Sequence, residues 1–374
     1  MPEVIVFIGS DKDYESFLAL EITDEEDTID YLELIRIYNS KIRATQEYAG
    51  SDLILDDEFD NVVVRSADFG SVVSHVLSNF AMIATQGCRF KRLFVQNPPK
   101  QSMHSLKSAF GDSIRYAGTI YPQVEKQSIK EIFQQLKDKV LGQDESKNEI
   151  VTSLYQLSSM QGKRPIVLLF FGPSGVGKTE TAKCLSNALG GELTRVQFSM
   201  LQNAEAYDYI FGAEHSKGSF ARDLLGRESN VVLLDEFDKV NHGLYNAFYE
   251  LFDEGVFVDS YYRVEMKDAL FVLTSNFKSE DEIREALGPA MFSRISACIE
   301  FEDLSPSEKI KLVERYYDAI IACLDDNDKT TIEESDIFGW FTMNAARYDN
   351  IRTMKTKMER AIFGVLSAKL INEA

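Results

Sequence analysis

Cysteine is scarce in this 374-residue chain: Cys88, Cys184, Cys298 and Cys323 stand far apart and form no CxxC pair. That spacing suggests neither a zinc site nor a disulfide framework, and it suits a reducing cytoplasm. Long apolar runs are missing as well. The longest, such as "IVLLFF" at 166–171, are of strand length and cannot span a bilayer. The early "VIVFI" lacks the basic flank and longer apolar stretch of a signal peptide, so a cytoplasmic chain without a membrane partner is expected. No low-complexity tract and no internal repeat is visible. Basic residues are in deficit: 40 Lys and Arg face 60 Asp and Glu, for a net charge of -20. Such a surface repels phosphate backbones and anionic membranes, which disfavours nucleic acid as a partner.

What is present suffices for a large core. Hydrophobic residues make up 44% of the chain, and its length predicts two or three compact units. The first third alternates strands and helices: "EVIVFI", "NVVVRS", a helical "SVVSHVLSNFAMIA", then "RLFVQ" closed by Pro98 and Pro99. An N-terminal α/β domain is expected over 1–125, with its boundary near Tyr121 to Gln127. The acidic "EITDEEDTID" and "DLILDDEFD" read as a solvated face or acidic loops, and "RFKR" at Arg89 to Arg92 as a charge-balancing surface patch.

A helix is predicted from Ile129 to Val140, followed by a second whose apolar face runs through Ile150, Leu154 and Leu157. Strands expected at 166–171, 193–198, 231–234, 269–273 and 298–301 then alternate with helices, the pattern of a parallel sheet covered on both faces. This unit is assigned 126–303. Ser305 as N-cap, Pro306 at the first helical position and Glu308 completing a capping box open a helical domain over 304–374.

The chemistry lies in the middle unit. "GPSGVGKTE" follows an apolar strand and opens a helix, the setting required of a Walker A loop. Gly172, Pro173, Ser174, Gly175, Val176 and Gly177 let backbone N–H groups crowd around phosphates at a helix N-terminus. Lys178 is expected to reach the β- and γ-phosphates of ATP, the Thr179 hydroxyl to bind Mg2+, and Glu180 to lie beside the nucleotide. "VVLLDEFDKV" places Asp235 and Glu236 at a strand's carboxyl end, Asp235 for the magnesium shell and Glu236 to polarise an attacking water. In "LFVLTSN", Asn276 is placed to hydrogen-bond the γ-phosphate or orient that water.

With these motifs in order, the chain resembles the Clp-type AAA+ ATPases, particularly the second ATPase module of the Clp disaggregases, from about Val140 to the C-terminus. The resemblance implies a P-loop ATPase sheet with a C-terminal helical lid, here preceded by an extra α/β domain. "VLGQDE" is similar to the family's adenine-side segment, implying that Val140 and Leu141 line the base pocket. "PAMFSRISACIEF" is similar to its finger segment and implies Arg294 as an arginine finger, against the alternative of an ion-pairing surface arginine. "NIRTMKTKMERAI" resembles the Gly-Ala-Arg sensor segment, with Arg352 as its arginine and Asn350 and Ile351 replacing the small residues. A finger acting in trans implies a homo-oligomeric ring, by family likeness a hexamer.

Two family features are missing. The Gly-aromatic-aliphatic-Gly pore loop that grips substrate is replaced by the shorter, polar "GAEHSKGS", flanked by Tyr207, Tyr209 and Phe220, which read more readily as helix or core packing. Between Asn276 and Arg294, "FKSEDEIREALGPAMF" leaves no room for the tripeptide loop that docks a Clp-type peptidase. The loss of an aromatic pore loop is similar to the torsins. The expected function is an ATP-hydrolysing switch or remodelling module whose N-terminal domain binds a dedicated protein partner. The alternatives are a processive unfoldase using Tyr207 or Tyr209, and a DNA-associated AAA+ regulator.

Overall fold

The computed structural model describes residues 2–47, 57–159, 164–201, 204–213, 215–348 and 350–372. Five parallel strands form a first sheet: β1 (Glu3–Ile8), β2 (Thr28–Asp30), β3 (Glu58–Val64), β4 (Arg89–Gln96) and β5 (Ile114–Gly118). Five more form a second: β6 (Ile166–Phe171), β7 (Thr194–Gln197), β8 (Val231–Asp235), β11 (Leu270–Thr274) and β12 (Ala297–Glu300). Between β8 and β11, β9 (Val256–Val258) and β10 (Arg263–Glu265) pair as an antiparallel hairpin.

Both sheets are sandwiched by helices, which is why β1, β6, β8 and β11 are near-continuous apolar runs without alternation. In β1, Val4 and Val6 pack toward Leu34 and Leu106 on one face, while Ile5 and Phe7 meet Tyr14 and Leu18 on the other. In β6, Leu168 and Phe170 share a core with Ile150 and Leu154, and Val167 and Leu169 share one with Phe220 and Phe248. The C-terminal region is helical, with Pro306–Ile321, Asp326–Glu333, Ile337–Asn344 and Ile351–Asn372 packed around Val313, Ile332, Phe341, Met354 and Met358. The expected α/β fold with a helical C-terminal region is the one observed.

Three readings of the first third change. The sheets are ordered β5-β1-β4-β3-β2 and β12-β6-β11-β8-β7, so counted within each sheet both read 5-1-4-3-2. The two sheets share a strand order that no sequence pattern announces. The acidic "EITDEEDTID" ends in strand β2, and its Glu26 holds Arg92 at 2.7 Å; Lys91 pairs with Asp60 at 2.6 Å. Most of "DLILDDEFD", residues 52–56, lies outside the described residues. The single helix expected from Ser71 is a 3-10 turn (Ser66–Ser71) and two helices, Ser74–Ser78 and Phe80–Gly87, broken at Asn79.

The first sheet rests against the second. The Lys100 backbone N–H donates to the Tyr261 carbonyl at 2.7 Å and its ammonium to the Asp259 carbonyl at 2.6 Å. The Tyr121 hydroxyl donates to the Arg227 carbonyl at 3.1 Å, with that guanidinium 4.2 Å over the tyrosine ring.

Candidate active site

The buried strand β6 delivers the chain into the loop Gly172 to Gly177, where Gly172, Gly175 and Gly177 take φ of 117°, 88° and 111°. A side chain at Gly172 would collide with the Phe301 carbonyl, and positive φ strains any other residue there. The loop ends on the helix Lys178–Ala188, which turns the free N–H groups of its first turn toward a cavity of about 300 Å³. Ser174, Gly175, Gly177, Lys178, Thr179, Glu180, Asp235, Glu236, Asn276 and Arg352 all line it.

Lys178 is buried, and its ammonium donates to the carbonyls of Gly172 (2.6 Å) and Pro173 (2.7 Å) and to Asn276 Oδ1 (3.4 Å). Burial pushes its pKa down to about 8, opposed by the carboxylates of Asp238 and Asp235 and reinforced by the Arg352 guanidinium. A phosphate in this cavity would restore the missing negative charge. Asp235 ends β8, buried; its Oδ2 accepts from Arg195 Nη2 at 2.5 Å and Nε at 3.0 Å, and its Oδ1 accepts from the Thr274 hydroxyl. Glu236 follows in the left-handed region at φ 57°, a conformation costing about 1–3 kcal/mol in a non-glycine residue. Its N–H donates to Thr274 Oγ1 at 2.9 Å, which holds the strained turn and leaves the carboxylate on the cavity.

Arg352 stands at the start of the last helix, where Asn350 Oδ1 accepts from the N–H groups of Arg352 (2.8 Å) and Thr353 (3.4 Å). Asn350 therefore caps this helix, and Ile351 lies against Gly175 of the phosphate loop. The two residues that replace the family's small ones thus cap the last helix and lie close to the loop. A neighbouring cavity of about 340 Å³ is lined by Val140, Leu141 and Val176 together with Leu304, Leu312, Arg315 and Tyr316. It shares Gly175, Gly177, Glu180 and Tyr316 with the first, so the two cavities are continuous along the loop.

Arg294 is set apart. Its guanidinium bonds Asp253 at 2.6 Å, donates to the Ala290 carbonyl and lies 4.3 Å over Tyr249, and it lines neither cavity. Gly172 and Pro173 contribute their carbonyls to Lys178 instead of lining the cavities. Sequence reasoning passed over Arg195, Thr274, Ser275, Tyr316 and Arg315. Ser275 lines the phosphate cavity, and its buried Oγ has no hydrogen-bond partner among the described residues. Of these, only Thr274 and Ser275 carried a signal, as neighbours of Asn276 at a strand end.

Thr179 and Asp235 offer oxygen on one cavity, a donor set of the kind a small hard cation takes together with phosphates and water.

Comparison with known proteins agrees with this geometry. Residues 163–319 match the AAA domain (Cdc48 subfamily) family. The chain is 28% identical over 233 residues to the chaperone protein ClpB of Tropheryma whipplei (strain TW08/27), covering 55% of this chain and 33% of that protein. It is 32% identical over 170 residues to ClpB of Chlamydia trachomatis serovar D, covering 42% and 20%, and 28% identical over 221 residues to a ClpA homolog protein of Fuscovulum blasticum, covering 51% and 28%. The chain thus spans a third or less of the length of these relatives. Strand order, phosphate loop and relatives converge: residues 163–319 carry an AAA domain similar to those of the Clp chaperones.

Proposed function

We propose that the chain hydrolyses ATP to drive a protein switch or remodelling cycle as part of a homo-oligomeric ring, by family likeness a hexamer. The convergence of Lys178, Thr179, Asp235, Glu236, Asn276 and Arg352 on one cavity carries this reading. Lys178 and the loop N–H groups bind the β- and γ-phosphates, Val140 and Leu141 bound the base pocket, and Arg352 meets the γ-phosphate from the lid. Thr179 and Asp235 would hold Mg2+, whose charge neutralises the phosphate oxygens. Glu236 takes the proton of the attacking water, and Asn276, with Ser275 beside it, orients that water. Arg294, which lies outside its own chain's cavities, serves as the finger for the neighbouring protomer.

The first sheet is the attachment point for a dedicated protein partner. A Clp-type peptidase is not among the partners expected, because the helix Glu280–Phe292 fills the interval where its docking loop would lie. Among the described residues no helix is long and apolar enough to cross a membrane. Replacing Glu236 by Gln should leave ATP binding intact and slow hydrolysis by about 10²–10⁴-fold in a steady-state phosphate-release assay. Near-normal turnover would remove Glu236 from the role of base.

One observation favours a processive unfoldase. Tyr207 and Phe211, 42% and 38% exposed, stack with ring centroids 6.0 Å apart on the helix leading into the short loop, whereas Phe220 is buried and Tyr209 bonds Asp223 at 2.5 Å. ATP-dependent unfolding of a tagged fluorescent protein, lost on changing Tyr207 or Phe211 to Ala, would establish it. The DNA-associated reading loses ground, since Lys91 and Arg92 are already paired with Asp60 and Glu26.

A further inference from the structure

The strand registers bring the two sheets into correspondence residue by residue. Phe7 faces Gln96 across β1 and β4 as Phe170 faces Thr274 across β6 and β11. Val64 faces Val95 as Leu234 faces Leu273, and Asp30 faces Val63 as Arg195 faces Leu233. Continued along the same register, Gly9 matches Gly172, Arg65 matches Asp235, and Ser66 matches Glu236.

The bonding repeats as well. The Asn97 N–H donates to the Phe7 carbonyl at 2.8 Å, as Ser275 donates to Phe170 at 2.9 Å. The Ser66 N–H donates to the Gln96 side chain at 3.0 Å, as Glu236 donates to Thr274 at 2.9 Å. The ion pair between Asp30 and Arg65, 2.5 Å, is the charge-reversed image of that between Arg195 and Asp235, also 2.5 Å.

What differs is the machinery for phosphate. After Gly172 the chain makes a full loop before its helix starts at Lys178; after Gly9 the helix starts at Asp11, capped by Ser10. The acidic pair is replaced by Arg65 and Ser66. The Asn97 amide closes on Gly9, accepting from the Gly9 N–H at 2.9 Å and donating to its carbonyl at 2.8 Å.

This sheet meets the segment where a substrate grip would stand. The His215 Nε2–H donates to the Val72 carbonyl at 2.5 Å, and its ring lies 5.7 Å edge-on to Tyr261, whose own carbonyl is held by Lys100. Gly70 abuts Ser216, and Arg222 Nη1, beside Gly70, donates to the Lys217 carbonyl at 3.3 Å. A cleft of about 470 Å³ joins the two sheets here, lined by both Arg222 and Arg195, the partner of Asp235.

We infer that the first sheet is a copy of the ATPase sheet that binds no nucleotide and instead holds the shortened loop, so that nucleotide state reaches it within the same chain. The inference rests on the ATPase reading above and adds where the motion goes. A threaded substrate is displaced from this loop by the chain's own N-terminal part. The shared cleft gives the path: a phosphate and its cation at Asp235 redistribute the field around Arg195, which opens onto the same cleft as Arg222 and the loop carbonyl it holds.

The test uses the full chain and a non-hydrolysable ATP analogue. Equilibrium binding should give one nucleotide per chain, lost in Lys178→Ala; two per chain would overturn the inference, and none would overturn the ATPase reading instead. Hydrogen exchange should slow together at 66–72 and 215–219 on analogue binding. Exchange at 66–72 that ignores a bound nucleotide would overturn the inference while leaving the ATPase reading intact. The pair Gly70→Cys and Ser216→Cys, where a Cβ at 70 would lie 3.7 Å from the Ser216 Cα, should form a disulfide on oxidation. Failure to cross-link in the folded chain would also overturn it.

Discussion

At the scale of single residues, the site is organised by what the polar groups do to one another. Lys178 is held near pH 8 by burial, so its folded-state value lies below that of an unfolded lysine. The folded chain therefore binds fewer protons than the unfolded one between about pH 8 and 10.4, and this residue's unfavourable contribution to stability, full below that window, is relieved as pH rises through it. ATP affinity should move the opposite way, falling above about pH 8 as the ammonium is lost. Isothermal titration at pH 7 and pH 9, compared with Lys178→Arg, would check it, because arginine stays charged across that range.

Thr274 is the second case. Its hydroxyl donates to Asp235 and accepts from the Glu236 N–H, so Thr274→Val unbinds both at once. A stability loss of about 1–3 kcal/mol is expected from the orphaned N–H, together with slowed hydrolysis at little-changed ATP affinity. Chemical denaturation and turnover measured on the same variant would separate the two. Asp235, Glu236 and Lys178 were legible as types and spacings in a chain of motifs. Arg195 was not, because only the pairing of β7 with β8 sets it beside Asp235.

At the scale of elements, local chemistry was a good guide wherever an element is defined by its own ends. Ser305 accepts from the Glu308 N–H at 3.3 Å and the Glu308 carboxylate from the Ser305 N–H at 2.7 Å, the reciprocal bonds that the capping box predicts. Ser305→Ala should cost about 1 kcal/mol, read as a lower melting temperature of the lid region by circular dichroism. The central strands β6, β8 and β11 were visible because both of their faces are buried, which leaves an uninterrupted apolar run. Strand β2 was hidden for the converse reason. It is three residues long, "TID", with one buried side chain, and its acidic surroundings read as solvent-facing. Likewise β5, "IRYAG", pairs at an edge and buries only Ile114.

At the scale of the whole molecule, the placement of Arg294 bears on assembly. Held by Asp253 and stacked on Tyr249, it keeps a fixed position outside its own cavities, as the proposed finger for a neighbouring protomer requires. Hydrolysis per chain should therefore rise with protein concentration, and Arg294→Ala should reduce it about 10³–10⁵-fold with ATP affinity nearly unchanged. A concentration series of turnover, beside sedimentation of the same samples, would check both. Activity independent of concentration in a monomer would dismiss the finger.

The amino-acid sequence alone determined the phosphate loop, the acidic strand end and the capped helical lid, since each is written in residues close together along the chain and depends on local geometry. Tertiary structure decided what those parts are joined to. The same 5-1-4-3-2 order in the first sheet, the reversed ion pair of Asp30 and Arg65, and the seating of His215 on Val72 all unite residues distant in sequence. No local pattern encodes such contacts, because strand order and register are settled by which buried faces fit together.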